Sequence, residues 1–433
     1  MTAARTWFPY ALFAVVAGTV VCIGGYPPSG LLVVELGAAG LGVALAFDSF
    51  IGGSVPSQLK HGPGVFLFAY AAFQACRVLW GHTEQWYLSF TSLLLLCACF
   101  ILLLISSEVG TVERSSRAFS RCLAIFGPTL AVYSLVQLAL GNGDIYWFYR
   151  PPQSPELSFG PFLNRNHYAA AMELLLPFCA FGATRAKTPR SRSLAVVGSL
   201  LIVASVIASR SRAGILIMTA EIAALVALSE LPRRSRALLS LAVIALLAAL
   251  IGIDSLNARG STLARFTDLQ NQEDSGYSRI TIAQDTIAMI RSRPLLGFGL
   301  GTFRRVYPEF QSFPGTLAVT HAHNDYLESI AESGLLGALP WFLFICAVLH
   351  RSLRSRVRSI PQMACMVALP AFLLHSLVDF NLYVPANAAL FYSICGLAVA
   401  RADSPARVTQ LLRVHRFEGA DRHRWREGLS KPR

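Results

Sequence analysis

Charged residues are scarce in this sequence. Only 14% of its 433 residues are Asp, Glu, Lys or Arg, whereas 54% are hydrophobic. A water-soluble chain of this length needs more charge on its surface, so the composition excludes that class. Apolar runs of about 20 residues, the length that crosses a bilayer as a helix, recur along most of the chain. The composition therefore predicts an all-α integral membrane protein and disfavours a barrel of short alternating strands.

Several other signals are also missing. No internal repeat is present, and no A-x-A cleavage site follows the first apolar run, so we expect that run to be retained as a span. The nine cysteines lie in or beside apolar runs without metal-ligand spacing, which is typical of small core residues. No strand precedes GFGLG at 297–301, which excludes a nucleotide-binding loop and leaves a flexible turn. We expect neither a metal nor a cofactor.

The apolar runs predict about twelve transmembrane helices within a membrane domain of residues 1–400, followed by a basic cytoplasmic tail, residues 401–433. The formal charge is +13, and its main clusters flank the spans, which indicates cytoplasmic loops and does not require a nucleic-acid partner. The predicted spans are 8–26, 31–47, 64–80, 87–105, 119–140, 168–185, 194–209, 211–229, 237–253, 335–350, 361–379 and 384–400.

With both termini in the cytoplasm, this topology places four polar segments on the outer side. They are the loop 141–167, the turn SRSRAG, a large loop over 254–323, and VDFNLYVPANA at 378–388. Basic residues on the outer side run against the positive-inside tendency. Binding of an anionic ligand is one reason for such an arrangement.

The first candidate group precedes the sixth span, in FLNRNHYAA. Asn164, Arg165, Asn166 and His167 offer donors that suit a sugar or a phosphate. The alternative is a polar cap on a membrane helix, because helix ends are often polar.

Arginines form the second group. Arg210 and Arg212 lie where two apolar runs almost touch, and a charge at membrane depth costs roughly 2.5–3.5 kcal/mol. We expect one of them, preferably Arg212, to enter a polar cavity while the other snorkels to the surface. Arg279 opens an amphipathic run with Ile282, Ile287 and Ile290 on its predicted apolar side. A guanidinium there can hold a diphosphate bidentately, although a solvated helix face explains it equally well.

The third group is HAHNDYLE. Asp325, followed three residues later by Glu328, predicts a helix N-cap with a capping box. His323 would then lie just ahead of the positive helix end, where a neutral imidazole is favoured and can act as a general base. A structural histidine is the alternative, and His321 with His323 lacks the further ligands of a zinc site.

These motifs resemble the O-antigen ligase and O-antigen polymerase superfamily, integral membrane glycosyltransferases that act on polyprenyl-diphosphate glycans. The resemblance rests on FLNRNHYAA, SRSRAG and PLLGFGLGTF, and above all on His323-Asn324 followed by Gly334-x-x-Gly337. It covers roughly Phe159 to Ala400. It implies a C-type glycosyltransferase-like fold in the bacterial inner membrane, with the active site facing the periplasm.

The resemblance also implies roles for individual residues. His323, Arg212 and Arg279 take the catalytic positions. Ala283 and Gln284 follow Arg279 where the family often has an aromatic residue, so Arg265 remains an alternative to Arg279. The expected substrate-binding residues are Arg210, Arg265, Asn164, Arg165, Asn166, His167, His321, Asn324, Asp379 and Asn381.

The implied reaction is metal-independent and inverting. A glycan would pass from an undecaprenyl-diphosphate carrier to a hydroxyl of lipid A-core or of another glycan, with membrane lipids as surroundings. O-antigen ligation is the preferred hypothesis, and polymerisation by the same family remains open. A lipid-linked glycan transporter or flippase is the alternative from another class, although transporters usually place their polar groups near the bilayer midplane.

Overall fold

The structure is a computed structural model that describes residues 6–26, 28–53, 55–151, 157–229, 234, 279–314, 318–354 and 359–400. Within these ranges all regular secondary structure is helical, which confirms the all-α prediction for this part of the chain. The helices are α1 Phe8–Val21, α2 Pro28–Ile51, α3 Ser57–His61, α4 Gly64–Leu79, α5 Trp86–Thr111, α6 Glu113–Leu140, α7 Arg165–Thr184, α8 Pro189–Ala208, α9 Arg212–Leu228, α10 Arg279–Ser292, α11 Phe303–Val306, α12 Asp325–Arg354, α13 Ile360–His375 and α14 Pro385–Val399. Short 3-10 turns occur at Ile23–Gly25, Tyr307–Glu309 and Asn381–Tyr383.

Each predicted span that falls on described residues overlaps one of these helices. Five helices in the described part are long and apolar enough to cross a membrane, namely α2, α5, α6, α8 and α12. Several shorter apolar helices accompany them: α1, α4, α13 and α14. The chain is thus consistent with a multi-pass membrane protein, and the count of twelve spans stays a prediction. The predicted span 237–253, the part of the large loop at 254–278 and the tail 401–433 lie outside the described residues.

The centre of the bundle consists of α5, α7, α13 and α14. α14 packs along α5, and α7 contacts α6, α8, α9 and α13. All residues of α14 are buried, in keeping with an apolar sequence that has no polar face. The amide of Asn387, near the start of α14, donates to the carbonyl of His167, near the start of α7, with 3.0 Å between the atoms. Two central helices therefore begin side by side.

Helix α12 bends at Gly334, where φ is 64° and ψ is 178°. The neighbouring loop supplies hydrogen bonds at the bend: Leu335 N donates to Pro294 O at 2.8 Å, and Gly299 N donates to Glu332 O at 2.8 Å. A Cβ on Gly334 would overlap the backbone of Leu295, so only glycine fits both the conformation and the contact. The bend separates Asp325–Ser333 from the stretch that contains the predicted span 335–350.

The GFGLG segment forms a turn, as predicted, but a tightly held one. Phe298 and Leu300 are buried, and Phe298 N donates to Ala331 O at 3.2 Å. The description of this turn as flexible was therefore wrong, because its apolar side chains and its backbone are both occupied by contacts with α12.

Helix α10 is amphipathic, but its buried face differs from the predicted one. The buried side chains are Ile282, Asp285, Thr286 and Met289, whereas Ile287 is exposed. The Asp285 carboxylate accepts a hydrogen bond from the Tyr307 hydroxyl at 2.8 Å and another from Ser312 N at 3.2 Å. Because these bonds satisfy the carboxylate, the helix buries Asp285 in place of Ile287.

Candidate active site

In the FLNRNHYAA motif, Asn164 caps the start of α7 and Asn166 connects α7 to two other segments. The side-chain oxygen of Asn164 accepts from Asn166 N at 2.8 Å, so the capping alternative is correct for Asn164. The side chain of Asn166 points elsewhere: its amide nitrogen donates to Oδ2 of Asp379 at 2.7 Å, and its oxygen accepts from the Ser211 hydroxyl at 2.8 Å. Arg165 is half-buried as the first residue of α7.

The SRSRAG motif forms the turn between α8 and α9. Ser211 caps α9 by accepting from Gly214 N at 3.2 Å, and the same hydroxyl donates to Asn166. A Cβ on Gly214 would overlap the Ala169 side chain, so glycine allows α9 to approach α7 closely. Arg210 has a left-handed backbone, with φ of 58°, and Arg212 is the first residue of α9. Both arginines thus flank a residue that contacts Asn166.

At the start of α12 the capping residue is Asn324. Its side-chain oxygen accepts from Tyr326 N and Leu327 N, each at 3.0 Å. The predicted cap by Asp325 and the capping box with Glu328 were wrong. The Asp325 carboxylate accepts from Leu382 N instead, and the Glu328 carboxylate accepts from Ala322 N. His323 still lies just ahead of the helix, in a left-handed conformation with φ of 50°.

Asp379 is the centre of the cluster. It is completely buried, and its Oδ1 lies 3.3 Å from Nδ1 of His323 and 3.6 Å from Nε2 of His167. Its Oδ2 lies 3.6 Å from Nη2 of Arg279, and Nη1 of the same guanidinium donates to the Val378 carbonyl at 2.7 Å. Asp379 thus brings together four of the predicted site residues, which all contact it: Asn166, His167, Arg279 and His323.

Charge and hydrogen bonding decide the ionisation of Asp379. Burial alone would raise the pKa of this carboxyl, but the hydrogen bond from His323, the close contact with His167 and the charge of Arg279 hold the pKa well below its usual range. A carboxylate accepts and does not donate, so a neutral His323 must carry its proton on Nδ1. The other ring nitrogen, Nε2, is then free of a proton.

His323 and Arg279 form part of the accessible surface of the cluster. Their side chains are 28% and 47% exposed, whereas Asp379 is fully enclosed. The ring of Phe380 separates the histidines: it stacks on His321 at 4.0 Å between centroids and contacts the edges of His167 and His323. A molecule at this surface would meet one imidazole and one guanidinium that share a buried carboxylate.

His321 belongs to a neighbouring contact. Its Nδ1 lies 2.7 Å from Oε1 of Glu328. Burial lowers the pKa of the His321 imidazole to about 4, the carboxylates of Glu332 and Asp379 oppose this, and the charge of Arg304 adds to it. Asn381 is buried in the 3-10 turn after Asp379, and Arg265 lies outside the described residues.

Sequence reasoning placed Asp379 among the substrate-binding residues and missed its position at the centre. The available signal was an acidic residue directly after an apolar span, in VDFN, where an unpaired carboxylate would be costly. Phe380 and Glu328 were also missed as candidates, because an aromatic residue and a helix glutamate carry no functional signal alone.

Residues 197–342, about a third of the chain, match the family model described as O-antigen ligase. Over these residues the chain is similar to the O-antigen ligase family. The match includes both candidate arginine segments and the histidine segment, so the resemblance inferred from the motifs is confirmed. Members of the family are glycosyltransferase-like ligases and polymerases that use lipid-linked glycans and acceptors. A comparison with curated proteins finds no match.

Proposed function

We propose that this protein transfers a glycan from an undecaprenyl-diphosphate carrier to an acceptor hydroxyl at the periplasmic face of the bacterial inner membrane. The reaction is an inverting, metal-independent displacement. One observation carries the proposal: a buried carboxylate, Asp379, contacts both a partly exposed imidazole, His323, and an exposed guanidinium, Arg279. That arrangement offers a base and an anion-binding group on one surface.

His323 is the proposed general base. Its Nδ1–H donates to Asp379, which fixes the tautomer and the ring orientation and leaves Nε2 to accept a proton. The acceptor oxygen forms a bond to the anomeric carbon while the bond from that carbon to the diphosphate oxygen breaks. The electron pair of the broken bond stays on the diphosphate, and the acceptor proton passes to Nε2 of His323.

Arg279 and Arg212 are the proposed diphosphate ligands. A guanidinium presents paired N–H donors to phosphate oxygens and remains charged, so it stabilises the negative charge that grows on the leaving group. Arg279 is held by the Val378 carbonyl and Asp379, and nearly half of its side chain is exposed. The hydrogen bond between Ser211 and Asn166 ties the Arg210–Arg212 turn to the same cluster.

Asn166 and His167 are proposed to hold Asp379 and not the glycan itself. Asn166 has both ends of its side chain occupied by Asp379 and Ser211. His167 is buried against Phe380, with Nε2 facing Asp379. Neither group is placed to contact a large substrate directly.

The test is reconstitution of the full chain with purified polyprenyl-diphosphate glycan. The wild type should transfer glycan, and His323→Ala should lose about 10²–10⁴-fold in turnover, the usual contribution of a general base. His350→Ala, at the opposite end of α12, is the control and should match the wild type. If His323→Ala retains wild-type turnover, the assignment of the base is wrong.

The same assay separates ligation from polymerisation. We propose ligation of a finished glycan onto lipid A-core, so product should form only when the core lipid is added. Longer polyprenyl-linked chains without core lipid would identify a polymerase. Movement of lipid-linked glycan across the bilayer without either product would identify a transporter.

A further inference from the structure

Two adjacent arginines project from the short helix α11, whose sequence is FRRV. Phe303 and Val306 are buried in a small apolar cluster together with Tyr307. Arg304 and Arg305 between them are exposed. The buried neighbours fix the helix, so the two guanidiniums extend from a firmly held piece of backbone.

Helix α11 is attached to the part of α12 that supports the histidine segment. Phe303 N donates to Oε1 of Glu332 at 3.0 Å, and the Tyr383 hydroxyl donates to Oε2 of the same carboxylate at 2.8 Å. The Tyr383 ring lies 5.4 Å from the His321 ring. Glu332 therefore connects the backbone of Phe303, the residue before Arg304, to the edge of the cluster that contains His323.

Arg304 also differs from other arginines of this face in its partners. Arg279 contacts Asp379, and Arg293 forms an ion pair with Glu84. Arg304 has no ion pair within the part of the chain that the structure describes. Its positive charge nevertheless contributes to the lowered pKa of His321. An exposed guanidinium without an acidic partner can accept an anion from outside the protein.

We propose that Arg304 binds an anionic substituent, a phosphate or a carboxylate, on the acceptor glycan. The proposal rests on the proposed function and adds a property of the acceptor. The donor diphosphate lies with Arg279 and Arg212, so a second anion beside His321 belongs to a different group. An acceptor held there has its hydroxyl next to His323. Arg304 is thus a specificity-determining residue that favours charged acceptors over neutral ones.

The experiment uses the full chain in phosphatidylcholine vesicles, with a phosphorylated acceptor glycolipid and the same acceptor after phosphatase treatment. Arg304→Gln should raise the KM for the phosphorylated acceptor about 5–30-fold, the range of one or two kcal/mol. The kcat and the KM for the donor should change little, and the variant and the wild type should have equal KM values for the dephosphorylated acceptor. Arg305→Gln and Arg291→Gln are matched controls and should leave all these values near the wild type.

Several outcomes would overturn the inference. An equal rise in KM for Arg304→Gln and Arg305→Gln would indicate a diffuse positive surface. An equal rise for both acceptor forms would show that Arg304 does not recognise the charge. The assay is repeated in vesicles that also contain anionic phospholipid, and an effect of Arg304→Gln that appears only there would assign Arg304 to the bilayer.

Equilibrium binding separates this inference from the proposed function. The phosphorylated acceptor is titrated into the wild type and Arg304→Gln without donor, so no turnover is needed. Weaker binding by Arg304→Gln supports the anion site even if the wild type fails to transfer glycan. Equal binding contradicts the site, whatever the activity assay gives.

Discussion

The structure contains two histidine–carboxylate pairs with similar distances and different surroundings. In one, Nδ1 of His323 lies 3.3 Å from Asp379, and in the other, Nδ1 of His375 lies 2.9 Å from Glu173. Both carboxylates are fully buried. The His323 side chain is 28% exposed, whereas His375 is completely enclosed among α7 and α13. Only the first imidazole can reach a substrate.

The neighbours of the carboxylates also differ. Asp379 contacts Asn166, His167 and Arg279 in addition to His323. Among the described residues, Glu173 forms hydrogen bonds with His375 alone, and Nε2 of His375 has no hydrogen-bond partner there. The same pair of chemical groups therefore joins two helices in the interior in one case and belongs to a partly accessible cluster in the other. The two pairs differ in the solvent exposure of the imidazole and in the presence of the Arg279 guanidinium beside the carboxylate.

The largest effect should follow from Asp379→Asn. The amide keeps the shape of the carboxylate but can donate a hydrogen bond, so it no longer fixes the proton of His323 on Nδ1. Turnover should fall about 10²–10⁴-fold, as for loss of a positioned base. It is measured as kcat in the reconstituted system, with Asp144→Asn in the loop after α6 as the control. If Asp379→Asn retains wild-type turnover, Asp379 takes no part in the reaction, and the His323–Asp379 pair is then as structural as the His375–Glu173 pair.

A smaller loss is expected for Arg279→Lys. Lysine retains the charge but not the planar pair of donors, so about 10²-fold in turnover should be lost, close to the effect of Arg279→Ala. Arg291→Lys near the other end of α10 is the matched control. Full activity of Arg279→Lys would mean that this position supplies only positive potential.

The buried pair of Glu173 and His375 should affect the stability of the fold and not the turnover number. Glu173→Leu leaves His375 buried without its carboxylate, and removal of one partner of a buried pair costs about 3–5 kcal/mol. Glu173→Leu combined with His375→Leu should recover most of that loss. The measurement is thermal unfolding in detergent together with kcat per folded molecule, which should stay within about threefold. A drop in kcat at unchanged melting temperature would show that the pair takes part in catalysis.

Much of the fold followed from hydropathy, because a membrane helix satisfies its own backbone and needs only apolar side chains. The site was harder to predict. Recognisable sequence signals marked the FLNRNHYAA motif, Arg279 and His323. The central position of Asp379, in contrast, results from contacts between α7, α10 and the turn after α13, which the local sequence does not show. Local spacing also misled: Asp325 and Glu328 have the spacing of a capping box, yet both carboxylates bind backbone groups of other segments. Sequence spacing does not report such long-range competition for the same carboxylate.

The smallest effect concerns a third pair, His321 and Glu328, which lies between the other two in exposure. The pKa of His321 is lowered to about 4 from an ordinary value of 6.5. In the window between these values the unfolded chain binds more protons than the folded one, so the stability contribution of the neutral imidazole is present above pH 6.5 and is lost as the pH falls towards 4. The loss is about 3 kcal/mol at most, since each pKa unit corresponds to about 1.4 kcal/mol. The melting temperature of the wild type should therefore fall relative to that of His321→Gln as the pH drops from above 6.5 to 4. A constant difference across this range would show that His321 titrates as an ordinary surface histidine, and the pair with Glu328 would then belong with the accessible His323 pair and not with the enclosed one.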